Sequence, residues 1–342
     1  MLIDSTKLIT SPLNRPGKWH VIALVAWLAV LAFCWTMPYW LFTDDYSVGL
    51  LVQIAIYAAY GLSWHLLAGY AGQYSFGHAT FFGTGAYVAS ILNYHYDISP
   101  WAGIFVGAAV AAVAGLVVGF ITLRLSGLYF GLVTFGISLM LGVLVTHFSD
   151  LTGGASGLSL PLRVGKASMM QFDTKIPLFH IVLLVVIVYV LITVLILRSR
   201  LGLVLRATRD DPSAAEASGV STRQVRVIAL CISASMAGLA GGLYAQSLLF
   251  IDPGSGFGMR QSVNAIFTAI IGGMGTLLGP ILGAIVLVLL QELGNVVSGG
   301  NGVYSVIFYS SVVFLFILFV PKGLAGVAGW LSDRVRSFRK GG

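Results

Sequence analysis

Long runs of apolar residues, separated by short polar stretches, are the dominant pattern of the chain. Most runs reach the roughly 20 residues that an α-helix needs to cross a bilayer. They are continuous, whereas strands of a membrane barrel alternate over about 10 residues. The pattern predicts an all-α polytopic membrane protein with about ten transmembrane helices, in a domain of residues 20–320. The predicted spans are residues 20–40, 47–69, 76–95, 101–123, 128–148, 178–197, 226–248, 260–278, 280–298 and 302–320.

The composition excludes a water-soluble globule. Of the 342 residues, 58% are hydrophobic and 9% are charged, and the mean hydropathy is +0.93. A soluble domain has about 25% charged residues, which it needs to cover its core. Cys34 and Cys231 both lie in apolar runs, where they act as small hydrophobic residues.

The basic residues predict the orientation of the chain rather than a nucleic-acid partner. With the N-terminus inside, fifteen Lys and Arg residues fall on the cytoplasmic side and four outside, and basic residues favour the cytoplasmic side. Both termini are therefore expected in the cytoplasm, with residues 1–19 as an N-terminal segment and residues 321–342 as a basic tail. Residues 149–177 are then a periplasmic loop. The inside residues are Lys7, Arg15, Lys18, Arg124, Arg198, Arg200, Arg206, Arg209, Arg223, Arg226, Lys322, Arg334, Arg336, Arg339 and Lys340, and the outside ones are Arg163, Lys166, Lys175 and Arg260.

Glycines four residues apart recur within the spans. This spacing lets helix backbones approach closely, so it predicts helix packing. Two clusters, Gly83–Gly85 and Gly272–Gly275, instead predict interruptions of their helices. The third and eighth spans, which contain these clusters, are therefore expected to be broken or re-entrant.

Polar residues inside spans are few, and each is costly in hydrocarbon. Gln73, Ser75 and His78 lie together between the second and third spans, and Asn264 lies in the eighth. Flexible backbone beside several donors and acceptors suits a polar solute, so these four residues predict the lining of a substrate pathway. For His78 the alternative is a packing role between helices.

The longest predicted cytoplasmic loop, residues 198–225, contains a short predicted helix. Asp211 is a suitable N-cap and Pro212 suits the first turn. Gly219 is a natural stop after the helix. A helix this short is not stable alone, so two interpretations remain open: an ordinary structured loop, or a docking helix that a cytoplasmic partner stabilises.

Several chemical signatures are missing from the sequence. It has no Gly-x-x-x-x-Gly-Lys-Ser/Thr motif and no soluble stretch long enough for a nucleotide-binding domain. We therefore expect no enzyme activity and no cofactor in this chain, and the absence of zinc-type His/Cys spacing predicts no metal. Glu292 is the only acidic residue well inside a predicted span, which disfavours a standalone proton-driven carrier or a channel.

Five motifs, in order between about residues 57 and 323, resemble one known family. The stretch Gly69–Tyr87 closely resembles the signature of branched-chain amino-acid ABC importer permeases of the LivM type, with Tyr74 in place of the usual smaller aliphatic residue. The other matching stretches are Gly127–Phe130 with Thr134 and Thr152–Leu158, Arg206–Val220, Ala237–Ala245 and Ile271–Pro280.

This resemblance implies a type II ABC-importer-like permease of the bacterial inner (plasma) membrane, in which an inverted repeat relates spans two to five to spans seven to ten. It implies four kinds of partner: a second permease chain of the LivH type, two ATPase subunits that bind ATP, a periplasmic substrate-binding protein, and membrane lipid. The implied solutes are branched-chain or related small amino acids, with urea, short amides or aromatic acids as alternatives. Residues 212–218 would be the helix that couples to the ATPase. Its candidate residues are Asp211, Pro212, Ala215, Glu216 and Gly219.

Overall fold

The structure is a computed structural model, and it describes residues 32–40, 42, 44–122, 125, 127–163, 165–320 and 323–324. The N-terminal segment, most of the first predicted span and most of the basic tail lie outside the described residues. The described residues divide into two compact units, one ending at Val48 and the other beginning at Gly49. In the first unit, residues 32–36 are helical and Met37–Tyr39 form a 3-10 turn.

From residue 45 onward, the chain is built almost entirely of helices. Their bounds are α1 Asp45–His65, α2 Ala79–Tyr96, α3 Pro100–Ile121, α4 Gly127–His147, α5 Ile176–Arg198, α6 Arg200–Asp210, α7 Pro212–Ala217, α8 Thr222–Leu248, α9 Pro253–Phe257, α10 Met259–Gly272, α11 Gly279–Val297 and α12 Gly302–Phe319. A π-helical segment, Leu66–Tyr70, extends α1. Single turns cover Ser149–Thr152, Gly154–Ser156 and Ala167–Met169, and two short strands are β1 Leu158–Ser159 and β2 Phe250–Ile251.

Within the described part, seven helices are long and apolar enough to cross a membrane. They are α1 with its π-helical extension, α3, α4, α5, α8, α11 and α12. These helices correspond to the second, fourth, fifth, sixth, seventh, ninth and tenth predicted spans. The all-α, multi-pass class is thus confirmed, while the number of ten spans stays a prediction.

Two of the spanning helices form the centre of the fold. In their most apolar windows, 83% of the residues of α1 and 67% of those of α8 are buried inside the protein. The corresponding value is 22% for α4 and α5 and 17% for α12. A helix that is apolar on every side must be surrounded by other helices or by lipid. The peripheral helices therefore present apolar side chains outward, as a bilayer requires.

Close helix packing at the centre depends on glycine. A methyl group at Gly85 of α2 would overlap the backbone of Gly238 in α8, and one at Gly107 of α3 would lie 2.6 Å from the Gly85 carbonyl oxygen. The same addition at Gly238 would collide with Ala111. At Gly107 and Gly238 the predicted role of glycine spacing in helix packing is confirmed.

The predicted interruption at Gly83–Gly85 is wrong, because both glycines lie inside the continuous helix α2. Gly83 instead makes room for the ring of Phe257. The second cluster does end a helix: α10 stops at Gly272, and Gly273 and Gly275 have φ angles of +113° and +89°. The difference arises because neighbouring helices fill the space at Gly83, and sequence alone does not show this.

The compact loop that connects α4 to α5 covers the ends of several helices. Its strand β1 pairs antiparallel with β2, which follows α8, and Leu158 lies opposite Ile251. Arg163 in the loop forms an ion pair of 2.5 Å with Asp97, just after α2. The loop is therefore attached to the C-terminal ends of both α2 and α8.

Candidate functional site

The segment between α1 and α2, residues 72–78, is non-helical and mostly buried. Its backbone is held by side chains from neighbouring helices. Trp64 Nε1 donates to the carbonyl oxygen of Ser75 at 2.8 Å, and Thr134 Oγ1 accepts from the amides of Phe76 and Gly77 at 3.2 and 3.3 Å. Irregular backbone is tolerated among transmembrane helices only where protein satisfies it in this way.

Gln73 is buried at the end of α1, with 6% of its surface exposed. It lines a very small cavity of about 10 Å³ together with Thr122, Arg223 and Arg226. Within the described part of the chain, neither Gln73 Oε1 nor Arg226 Nε has a hydrogen-bond partner. The cavity is of the size that holds about one water molecule, and a water there could satisfy both groups.

His78 is fully buried and its ring lies against aromatic side chains. It stacks on Tyr60 with ring centroids 5.6 Å apart, and its Nε2 lies 3.1 Å from Ser63 Oγ. The Ser63 hydroxyl donates its one proton to the Tyr60 carbonyl oxygen at 2.6 Å. Nε2 must therefore be the protonated nitrogen that donates to Ser63. This leaves Nδ1 as a buried acceptor with no partner among the described residues.

Asn264 joins three helices. Its amide donates to the hydroxyl of Tyr57 in α1 at 3.4 Å, and its Oδ1 accepts from Gln291 of α11 at 3.2 Å. Asn264 itself belongs to α10 and is 1% exposed. The side chain is thus a buried polar link at the centre of the bundle.

The four predicted pathway residues, Gln73, Ser75, His78 and Asn264, are brought together along one side of α1, and we call them the polar seam. Their contacts follow α1 in order. Asn264 meets Tyr57, His78 meets Tyr60 and Ser63, Ser75 meets Trp64, and the amide of Gln73 donates to Leu67. All four are at most 6% exposed. Three of them carry an unpartnered polar atom in the described structure: Gln73 Oε1, Ser75 Oγ and His78 Nδ1.

A larger groove, about 650 Å³, lies elsewhere, between α4 and the α9 region. Ser138, Gly142 and Thr146 line it from α4, and Phe257 and Gly258 line the facing wall. Ser138 Oγ holds the two walls together by donating to the Phe257 carbonyl oxygen at 2.9 Å. Sequence reasoning missed this groove. The signal was the four-residue spacing of small and hydroxyl side chains on α4.

The short helix α7 begins where the sequence predicts. The carboxylate of Asp211 accepts from the amides of Ser213 and Ala214 at 2.9 and 3.0 Å, so it caps the first turn. Pro212 occupies the first helical position, where its missing N–H costs nothing.

The end of α7 is also fixed by the predicted residue. Gly219 has a φ of +82° and donates its amide to the Glu216 carbonyl oxygen at 2.9 Å. The next amide, of Val220, donates to the Ala215 carbonyl oxygen at 3.0 Å. This pair of bonds is a Schellman motif, which requires the left-handed conformation that glycine adopts at low cost.

Most of α7 is exposed to solvent. Ala215 is its one buried residue, at 5% exposure, and the Glu216 side chain accepts from the hydroxyl of Thr222 at the start of α8. Glu216 and Gly219 are exposed, and the other exposed residues are small: Ser213, Ala214, Ala217 and Ser218. Of the five candidate coupling residues, Asp211 and Gly219 cap α7, Pro212 begins it, Ala215 lies on its buried side and Glu216 is exposed.

Among the described residues, no group of three or more His, Cys, Asp or Glu side chains is placed to hold a metal ion. The chemistry of the two regions is instead that of neutral hydrogen-bonding groups in the polar seam and an exposed protein surface at α7.

Comparisons with known proteins agree with one another. The family model described as branched-chain amino acid transport system / permease component matches residues 46–320. The high-affinity branched-chain amino acid transport system permease protein LivM of Escherichia coli K12 is 29% identical, over 94% of this chain and 79% of the relative. LivM of Salmonella typhimurium LT2 is 29% identical over 87% of this chain and 73% of the relative. LivH of the same organism is 26% identical over 79% of this chain and 91% of the relative. No solved structure matches the chain. The chain therefore belongs to the family of branched-chain amino acid transport permease components and is a permease subunit of an ATP-binding-cassette importer.

Proposed function

We propose that this chain forms one half of the translocation pathway of an importer that takes up branched-chain amino acids across a bacterial inner membrane. The family match over residues 46–320 carries this proposal, since it covers all seven described spanning helices. Relatives of both the LivM and the LivH type carry branched-chain amino acid transport in their names. The second permease chain is then of the LivH type, and a periplasmic binding protein delivers the solute.

Energy reaches this chain from separate ATPase subunits, which bind the ATP and contact α7. Three features support α7 as the docking element over an ordinary loop. It is capped at both ends, its exposed surface consists mostly of small side chains, and it is attached to α8 through Glu216 and Thr222. A partner surface would add the tertiary contacts that a six-residue helix lacks by itself.

The chain in this proposal crosses the membrane ten times, with both termini in the cytoplasm. Helix α2 has 18 residues, about 27 Å of rise, so it nearly covers a hydrocarbon core of about 30 Å. The short α10, with 14 residues, reaches the required length only together with the residues that flank it. Because neighbouring helices cover α2 and α10, neither needs an apolar surface of its own.

An inverted repeat is supported by two similar interruptions. The non-helical residues 72–78 follow α1, and residues 249–258 with the short α9 follow α8. Each interruption contains a Phe-Gly pair that α4 holds from successive turns: Thr134 accepts from the amides of Phe76 and Gly77, and Ser138 donates to Phe257. Broken helices in corresponding positions of two halves are typical of transporters with inverted repeats.

The polar seam lies on the solute route in this proposal. Its unpartnered atoms provide one acceptor amide oxygen, one hydroxyl and one imidazole nitrogen, which can replace part of the hydration of a zwitterion. The separate groove beside α4 also carries hydroxyls, from Ser138 and Thr146, among apolar groups.

Reconstitution of the whole complex in liposomes tests the proposal. This chain is purified with its second permease and its ATPases, and the binding protein is supplied from outside. We expect ATP-dependent uptake of leucine, isoleucine and valine, and none when the Walker-A lysine of the ATPase is replaced. Uptake without ATP would contradict the importer mechanism, and a preference for urea, short amides or aromatic acids would contradict the proposed solute.

A further inference from the structure

Arg209 makes a direct contact between the cytoplasmic segment and the end of the central helix. It is the penultimate residue of α6, two positions before the N-cap of α7. Its Nη1 donates to the carbonyl oxygen of Gly69 at 2.8 Å. Gly69 lies in the π-helical extension of α1, which leads into the polar seam. One side chain therefore bridges the proposed ATPase-docking region and the proposed solute route.

The backbone at Gly72 is shaped to receive this side chain. Gly72 has a φ of +69°, and a methyl group there would lie 2.9 Å from Arg209 Cγ. The stem of Arg209 thus rests directly on the chain one residue before Gln73. A displacement of α6 would therefore act on the backbone at Gly72 directly through Arg209.

The element that Arg209 holds is suited to a change of shape. π-Helical turns are rare and are found mostly at functional sites, because each contains one residue more than an α-helical turn accommodates. Next to Gly69, the ring of His65 is 1% exposed, and neither of its nitrogens has a partner within the described structure. A change of the π-helical turn to α-helix would move Gly72 and Gln73 around the helix axis. The Arg209 guanidinium donates to the Gly69 carbonyl oxygen at the end of this helix, where a cation is favourable.

We propose that Arg209 is the positioning residue through which movement of α7 changes the polar seam. The inference rests on the proposed function, since it requires an ATPase that moves α7. The ion pair between Arg209 and Asp210, 2.8 Å apart, has both side chains exposed and contributes little to stability by itself. That pair keeps the guanidinium directed at Gly69. In the ATP-driven state, α7 pulls Arg209 away from Gly69, and the released π-helical turn rearranges the segment that carries Gln73, Ser75 and His78.

Arg206 provides a matched control on the same helix. It also donates to backbone carbonyls, from Nη2 to Leu197 at 2.7 Å and from Nε to Gly202 at 3.2 Å. The bond to Leu197 ties α6 to the end of α5, the bond to Gly202 lies within α6, and neither reaches the backbone of the π-helical turn. Loss of Arg206 removes a cation and two hydrogen bonds from the same helix, but it leaves the proposed link in place.

The test uses the assembled complex with variants R209A, R209K and R206A. For each, the amount of co-purified ATPase, the uptake of leucine and the ATP hydrolysed during uptake are measured. We expect R209A to assemble normally and to transport about tenfold less leucine per ATP, the size of one lost hydrogen bond to a charged group. R209K, which keeps the charge, should recover part of the ratio, and R206A should keep it within about twofold. An unchanged ratio in R209A, an equal loss in R206A, or failure of R209A to bind the ATPase would each overturn the proposal.

A second measurement does not depend on transport. Cys34 and Cys231 are replaced by serine, Gln73→Cys is introduced, and labelling by a small maleimide is compared between nucleotide-free and vanadate-trapped complexes. We expect the labelling rate to differ between the two states with Arg209 present and to be equal in the R209A background. A difference that persists in R209A would show that Gln73 moves without this link. If the unmodified complex took up no amino acid, the proposed function would fail, while labelling at residue 73 would still decide the role of Arg209.

Discussion

Thr134→Val should loosen the buried segment between α1 and α2. The Thr134 hydroxyl accepts from the amides of Phe76 and Gly77 at 3.2 and 3.3 Å and donates to the Gly131 carbonyl oxygen at 2.8 Å. Valine has nearly the same shape, so the substitution removes these bonds without leaving a cavity. The buried N–H of Gly77 and the part-buried N–H of Phe76 then have no acceptor. A buried unsatisfied group costs about 1–3 kcal/mol in soluble proteins, whereas hydrogen bonds between membrane helices average about 0.6 kcal/mol.

Both bonds are long, so we expect a total loss of about 1–3 kcal/mol in the free energy of unfolding. At about 2–4 °C per kcal/mol, the midpoint of thermal unfolding in detergent should fall by several degrees. Amide hydrogen exchange at Phe76 and Gly77 should also become faster than at helix centres. Thr134→Ser keeps the hydroxyl and is the control, which should retain slow exchange at both amides. Unchanged exchange in the valine variant, or equal effects of valine and serine, would refute the reasoning.

Gly219→Val should weaken co-purification of the ATPase about tenfold or more at equal membrane levels. The reason is that a β-branched residue at a φ of +82° costs at least about 1–2 kcal/mol. ATPase binding equal to that of the unmodified chain would reduce α7 to a connector. Gly85→Val should abolish stable expression, since the valine side chain would overlap the backbone of α8. Gly136→Ala should express normally, because no atom lies within 4 Å of the added methyl group. Fluorescence size-exclusion chromatography compares the two variants. Gln73→Leu should lower uptake by an assembled complex while the binding protein still captures solute, and loss of assembly instead would assign Gln73 a packing role. Cysteine placed at Ser213 should be labelled only from the cytoplasm, and labelling from outside would reverse the proposed orientation.

The features predicted best from sequence are those that neighbouring residues determine. The caps of α7 are an example: the carboxylate of Asp211 and the left-handed conformation of Gly219 act within one turn of their own residues. The spanning helices are also predicted well, because a bilayer requires of a helix only sufficient length and an apolar composition. Seven of the ten predicted spans accordingly coincide with helices long enough to cross.

The features missed are those that depend on distant parts of the chain. Nothing near Gly83 shows that Phe257 fills the space beside it, so the glycine cluster wrongly indicated a break. The predicted pathway residues were recognised by their polarity, yet their order along α1 depends on contacts with α10 and with the turns of α1 itself. The groove beside α4 was missed for a related reason: its second wall comes from residues more than 100 positions further along the chain.

The helices that deviate from the rules for a single span are also those that organise the site. Helix α2 contains two glycines and several polar residues, and α10 has only 14 residues, yet both pack against α1, the most buried of the spanning helices. A helix that lipid surrounds must satisfy the bilayer over its whole length, whereas a helix that protein surrounds is free to end early or to carry Asn264 and Thr268. The peripheral helices α5 and α12 meet the demands of the lipid, so the interior accommodates a π-helical turn, a non-helical segment and unpartnered polar atoms. The proposed coupling, in which a small displacement at α7 changes the solute route, needs such irregular backbone at the centre of the bundle.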